Sequence, residues 1–271
     1  MKKMENHSGP GLVRKKALVT GGGRGIGRAV ILELARRGWD VGINYNSSRK
    51  AALEVKQAAG ELGVEAEVFR ANVGIKGEID SLFDQFMERF GQIDLLINNA
   101  GISAFKPFLG VTEDMWDEIT NIDWKGTFFC AQRAAQLMIE KEAGGVILNM
   151  SSNQKDGCWP TASIYGPTKA AVAKFTRHIA MELAPHNIRA VSIAPGYTDV
   201  GWPAGDPIHQ AAEMIPLKRF ARPEEIARVI GHLISDDFAY MTGSCLDIDG
   251  GSLLPVITEN DLDTDWSSTK F

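Results

Sequence analysis

Cysteine is scarce in this chain. Only Cys130, Cys158 and Cys245 occur, far apart and at no metal-ligand spacing. An odd number of isolated thiols argues against a disulfide framework and a cysteine-built metal centre, and suits a reducing compartment. Long apolar runs are also missing: no stretch approaches the roughly 18 residues that a membrane-crossing helix needs. Met1 to Gly11 is basic but carries no hydrophobic segment, so it does not read as a secretory signal. There is no excess of positive charge either. With 29 basic and 34 acidic residues the net charge is −5, which points away from nucleic acid and from anionic membranes. No Gly/Ser/Pro-rich linker and no internal repeat divides the chain. A soluble, cytoplasmic globular protein with no metal is therefore expected. At 271 residues, 44% hydrophobic and 23% charged, it is long enough to bury a large core.

Short apolar runs alternate with longer amphipathic stretches from Lys16 onward. The runs are Ala17-Leu18-Val19, Val41-Gly42-Ile43, Ala66 to Phe69, Ile93 to Ile97, Val146-Ile147-Leu148, Ile188 to Ala194 and Leu246-Asp247-Ile248. Apolar residues at helical spacing mark 25–38, 47–62, 76–90, 112–142, 163–184 and 223–235. Asp40 and Gly91-Gln92 are read as short turns. Seven strands separated by helices predict one doubly wound α/β domain, a parallel sheet with helices on both faces, over 14–251. Residues 1–13 and 252–271 are read as terminal extensions. Asp261 to Asp265 resembles the start of a calcium loop, but Trp266 stands where such a loop needs glycine, so it reads as a solvated acidic stretch.

The first strand runs into Thr20-Gly21-Gly22-Gly23-Arg24-Gly25-Ile26-Gly27 and then a helix. Glycines let a backbone turn tightly and approach a pyrophosphate, whose charge then faces the helix N-terminus. The spacing is G-x3-G-x-G through Gly21, Gly25 and Gly27, not G-x-G-x-x-G. An acid at the end of the second strand would favour a free ribose 2′-hydroxyl. Here the sequence is Asn44-Tyr45-Asn46-Ser47-Ser48-Arg49, with no acid. Arg24 and Arg49 offer positive charge, and Asn46 and Ser47 offer hydrogen bonds, so NADP is favoured with NAD as the alternative.

Tyr165 and Lys169 are one helical turn apart, on one face. A charged amine about 4 Å from a phenol attracts its phenolate by roughly 4 kcal/mol at an effective dielectric of 20. Burial opposes that, because it disfavours the phenolate. The pair is thus suited to proton exchange only while the amine stays close and charged.

Taken in order, the glycine turn, Asn98-Asn99-Ala100-Gly101, Asn121, Ser152, Tyr165-x-x-x-Lys169 and Pro195-Gly196 closely resemble the short-chain dehydrogenase/reductase family in its single-domain branch. The match runs from about Arg14 to Gly251. The resemblance implies a Rossmann-type fold with Tyr165 as general acid in reduction and general base in oxidation. It implies that Lys169 makes the phenol easier to ionise and binds the nicotinamide ribose. Ser152, selected over Ser151 by its interval to the tyrosine, would hydrogen-bond the reacting oxygen. Asn121 would hold a water in the relay behind the lysine, or bend its helix, or both. Asn99, Ala100 and Gly101 would lie along the adenosine ribose, and Pro195, Gly196 and Thr198 beside the nicotinamide. Tyr45, Asn72, Val73 and Ile26 complete the implied cofactor contacts.

The chain also departs from the family pattern. Asn72-Val73 stands for the common Asp-Val, Val200 for a frequent threonine and Val191 for a frequent asparagine, while Pro167 falls inside the Tyr-Lys interval. Trp159 and Trp202 are expected to wall the substrate cleft, with Tyr197 to Pro216 as its lid. The resulting expectation is an NADP-dependent oxidoreductase that interconverts a ketone and a secondary alcohol. A 3-oxoacyl-(acyl-carrier-protein) reductase and a sugar 1-dehydrogenase remain as alternatives. The first is disfavoured by Glu140, Glu142, Ala143 and His186 where basic residues would dock an acidic carrier, and the second is hinted at by Asn44-Tyr45. A non-catalytic dinucleotide-binding regulator has no need of the combined Ser-Tyr-Lys set. The resemblance further implies a homotetramer, paired through 112–142 and 163–184 and through 223–248.

Overall fold

The computed structural model describes residues 14–254; the expectations for 1–13, 255–271 and the acidic stretch within the latter lie outside the described residues. Seven strands form one parallel sheet: β1 (Lys16–Val19), β2 (Asp40–Tyr45), β3 (Ala66–Arg70), β4 (Leu95–Asn98), β5 (Gly145–Met150), β6 (Ile188–Pro195) and β7 (Cys245–Ile248). Their order is β3-β2-β1-β4-β5-β6-β7, so the direction of winding reverses between β1 and β4. In open α/β sheets that reversal leaves a crevice at the carboxyl ends of the strands. The helices are α1 (Gly25–Arg36), α2 (Arg49–Glu61), α3 (Lys76–Phe90), α4 (Glu113–Ile119), α5 (Thr127–Glu140), α6 (Tyr165–Leu183) and α7 (Pro223–Leu233). Among the described residues, none is long and apolar enough to cross a membrane.

Alternation along the strands divides the core in two. Ala17, Val19, Leu95 and Ile97 face α1, α2 and α7 in one apolar cluster. Leu18, Leu96 and Ile147 face α3, α5 and α6 in the other. Phe83 and Phe86 are fully buried in the second cluster, each side chain worth roughly 1.5–3 kcal/mol of burial. Local signals set the helix ends. α3 stops at Gly91, whose φ of 74° suits glycine. Thr112 caps α4 by accepting the Met115 N–H at 3.3 Å. Glu225 accepts the Arg222 N–H at 2.8 Å where α7 begins.

Two expectations change in the structure. Asp40 is not in a turn: it opens β2, is buried, pairs with Lys16 and accepts the Glu65 N–H at 2.8 Å. The single helix read over 112–142 is α4 and α5 joined by a π-helical segment, Thr120–Gly126. An added Cβ at Gly126 would lie 2.8 Å from the Val73 carbonyl, so the chain widens where it passes the loop after β3.

Gly42 in β2 lies under the phenylalanine cluster, and a Cβ there would come within 2.6 Å of the Phe86 ring. Gly42→Ala is expected to cost about 1–3 kcal/mol through overpacking. Urea unfolding should show a lower midpoint at an unchanged slope.

Candidate active site

The glycine turn at the switch point leaves no room for side chains. Gly21 and Gly25 adopt φ of +63° and +52°. A Cβ on Gly27 would lie 2.3 Å from the Gly21 carbonyl oxygen and 2.6 Å from Asn99 Nδ2. Arg24, at the start of α1, makes no side-chain cap, and the first helical turn holds no acid, so its N–H groups are open to an anion. Thr20 Oγ1 accepts the N–H groups of Asn99 and Ala100, both at 3.0 Å. Asn99 Nδ2 donates to the Thr20 and Gly21 carbonyls at 3.0 and 3.1 Å, so its side chain fastens the turn. From the other side, Asn44 Oδ1 accepts the Gly21 N–H at 3.2 Å while its amide donates to Phe69 and Ala71.

Ser152 ends the run from β5 and is buried; its Oγ accepts the Gln154 N–H at 3.3 Å. Tyr165 opens α6 half-buried, with Lys169 one turn below and its Nζ 5.4 Å from the phenol ring centre. Pro167 lies in that first turn, where a missing N–H costs nothing. Lys169 is buried, its Nζ 2.9 Å from Asp123 Oδ2 and 3.3 Å from the Met150 carbonyl. Burial works against its charge, but the Asp123 carboxylate and the Tyr165 phenol outweigh it and raise the lysine above its ordinary range. Asn121 lies in the π-helical segment, where the helix is irregular, and its Oδ1 accepts from Lys125 Nζ at 3.3 Å. Asp123, which the sequence reading missed, is the carboxylate beside the lysine.

These positions fall within the span of residues 21–252, which match a family model described as enoyl-(acyl carrier protein) reductase. The 3-oxoacyl-[acyl-carrier-protein] reductase FabG of Staphylococcus epidermidis is 35% identical over 242 residues, 88% of this chain and 99% of that protein. A short-chain type dehydrogenase/reductase from Mycobacterium marinum superimposes with a TM-score of 0.83 at 34% identity, covering 89% of this chain and 96% of that one. The acetoin dehydrogenase of Enterobacter cloacae gives 0.83 at 32% identity, covering 90% and 97%. The chain belongs to the short-chain dehydrogenase/reductase family. It is an oxidoreductase of the nicotinamide-dependent kind.

The dinucleotide used by short-chain dehydrogenases fits the cradle described above, because the glycines leave the space and α1 leaves its N–H groups free. Arg24, Asn46, Ser47 and Arg49 are all exposed at the rim beyond β1 and β2. Arg70, at the end of β3, adds a cation there and donates to the Asn46 carbonyl at 3.3 Å. Ile26 and Tyr45 pack into the core, so Tyr45 offers the rim only its backbone. Asn72 folds its Oδ1 back onto the Gly74 N–H at 2.9 Å, and Val73 is buried beside Gly126. Ala100 and Gly101 continue from the Thr20 contact toward Lys169; a Cβ on Gly101 would lie 3.3 Å from Nζ.

Pro195 ends β6, and Gly196 passes so near Asp249 that a Cβ on it would lie 2.8 Å away. Thr198 Oγ1 donates to the Gly196 carbonyl at 3.1 Å, while Val200 lies over Gly25, 3.3 Å from where a Cβ would stand there. Trp159 Nε1 donates to the Tyr197 hydroxyl at 3.1 Å, and Tyr197 stacks on Phe220 at 5.2 Å. Trp202 is exposed on the loop ahead of a short helix, Pro207–Met214, in the segment expected as a lid. Phe105, unremarked in the sequence, meets Tyr165 edge-on at 5.8 Å and is 49% exposed, so it can touch a ligand. Burial pushes the Cys130 thiol up to about 12, which leaves it inert. Gly27→Ala, by forcing the Gly21 carbonyl aside, should weaken dinucleotide binding at least about tenfold in a fluorescence titration.

Proposed function

We propose that this enzyme is an NADP-dependent, cytoplasmic oxidoreductase acting on a compact, neutral ketone and its secondary alcohol. The observation that carries the reading is a buried, charged Lys169 held under the Tyr165 phenol, with Ser152 on the facing turn. Bound nicotinamide supplies or accepts hydride at the carbon. In reduction Tyr165 gives its proton to the carbonyl oxygen, and in oxidation its phenolate takes the alcohol proton. Ser152 Oγ accepts from Gln154 and donates to Asn153 Oδ1 at 3.4 Å, a long bond that it can exchange for the substrate oxygen as charge develops there. Lys169 stays protonated against burial and holds the phenol in place.

Arg24, Arg49 and Arg70 gather positive charge where an acid would reject a 2′-phosphate, which supports NADP over NAD. The cleft walls are Phe105, Trp159 and Tyr197, and they favour apolar surface on the substrate. The FabG relative makes an acyl-carrier reductase the second reading, since its name states that activity. The sugar hint loses its support: Asn44 holds the glycine turn and Tyr45 packs in the core. For assembly, an apolar groove of about 620 Å³ runs between α5 and α6, with Trp124, Phe128, Phe175 and Ile179 along it. A second copy of the chain would cover it, as the first step toward a tetramer.

Tyr165→Phe is expected to lower turnover about 10³-fold while leaving NADPH affinity unchanged, read by steady-state kinetics and fluorescence titration. Near-normal turnover would overturn the acid/base role. Arg24→Ala should raise the KM for NADPH roughly tenfold or more and leave that for NADH unmoved. Ile179→Glu should shift light scattering to a smaller species with the circular dichroism intact; a wild-type monomer would remove the tetramer.

A further inference from the structure

The lysine beneath the phenol does not act as a lone cation. Asp123 is fully buried, and its Oδ2 meets Lys169 Nζ at 2.9 Å. Its Oδ1 accepts the Ile102 N–H at 2.8 Å, and its backbone carbonyl accepts the Thr127 hydroxyl at 2.8 Å. The turn after β4 therefore holds the carboxylate itself, and the first residue of α5 holds the backbone that carries it. Gly101 makes room for it, since a Cβ there would lie 2.9 Å from Oδ2.

The groups facing the amine can be named element by element. The π-helical segment brings Asp123 and Lys125, the latter drawn aside to Asn121 at 3.3 Å. α6 brings the Tyr165 phenol, β5 the Met150 carbonyl, and the turn after β4 only backbone at Gly101 and Ile102. An ammonium and a carboxylate this close form a nearly neutral pair, whose attraction for a phenolate falls off faster than that of a single charge.

We propose that Asp123 is a positioning residue whose negative charge offsets Lys169, keeping Tyr165 in its proton-bearing form and biasing the site toward carbonyl reduction at neutral pH. This rests on Tyr165 being the acid/base group. In reduction, hydride joins the carbonyl carbon, the phenol proton goes to the oxygen, and the phenolate left behind is reprotonated from water. Oxidation needs the phenolate first, so the carboxylate slows that direction until the pH rises.

Asp123→Asn keeps an acceptor for Ile102 and removes the charge. The limb of kcat/KM for alcohol oxidation should then move about one unit toward acid, a roughly tenfold gain at neutral pH. A readout without turnover is the ultraviolet phenolate absorbance of the cofactor-free protein, with Tyr165→Phe as blank. Its onset should come at lower pH in Asp123→Asn than in the wild type. Asp123→Ser, which also removes the charge, serves if the asparagine variant does not fold.

A folded variant with the wild-type limb and the wild-type phenolate onset overturns the proposal. So does failure of both variants to fold, which makes the carboxylate a structural group. If the wild type turns over no carbonyl or alcohol with either nicotinamide cofactor, the functional reading fails. The phenolate titration would still decide the role of Asp123.

Discussion

Two stretches of backbone meet at the mouth of the sheet, tied by the side chains of Thr20 and Asn99 and too close for a Cβ on Gly27. The turn after β1 and the end of β4 meet through Thr20, Gly21, Gly27 and Asn99 at hydrogen-bond distance. Sheet reversal between β1 and β4 creates the crevice, but this crossing gives the crevice a floor. It pins the start of α1 so that uncapped N–H groups point into it. It also delivers Ala100 and Gly101 to the lysine, so the phosphate end and the chemical end share one support. Because the constraint is steric, a methyl group at Gly27 disturbs both ends at once.

The sequence made the scaffold legible because burial on two faces writes itself as unbroken apolar runs in the strands and apolar stripes on the helices. Each apolar run became a strand, and every helical span was placed within a few residues, apart from the π-helical break inside 112–142. The glycine turn and the Tyr-Lys spacing were readable for a similar reason, since local backbone geometry dictates them. What escaped were residues whose role depends on a partner distant in the chain. Asp123 gains its meaning from Lys169, 2.9 Å away in space and on another helix. The sequence reading named Asn121 alone, through the resemblance, and it is the π-helical segment that brings Asp123 to the lysine. Asn44 and Tyr45 suggested a ligand, yet one holds a loop and the other fills the core. Asp40 looked like a turn because charge at a strand end usually is one; Lys16 beside it allows burial.

The stretch beginning at Ser252 is tied, within the described residues, to the loop after β5. Asn153 Nδ2 donates to Ser252 Oγ at 2.9 Å, and Ser252 Oγ donates in turn to Asp249 at 2.9 Å. Ser252 is thus bonded to the loop after β5 as well as to Asp249, across the edge read at Gly251. Gly157 packs so close that a Cβ there would lie 2.3 Å from the Trp159 ring and 2.7 Å from Leu253.

That packing bears on how substrates are chosen. Trp159 is held by Tyr197, Tyr197 by Phe220, and Phe220 by His209 of the lid, stacked at 5.8 Å. His209 also contacts the Pro203 carbonyl at 3.1 Å, within the same segment. Aromatic pairs of this kind add about 0.5–1.5 kcal/mol beyond the area they bury, so the stacked Tyr197, Phe220 and His209 support one another. A hydrocarbon pocket separates substrates that differ by one methylene by only about 1–3 kcal/mol. Stronger selectivity would have to come from polar groups set among these rings, and Gln154, whose Oε1 is buried without a partner among the described residues, stands at the base of the same loop.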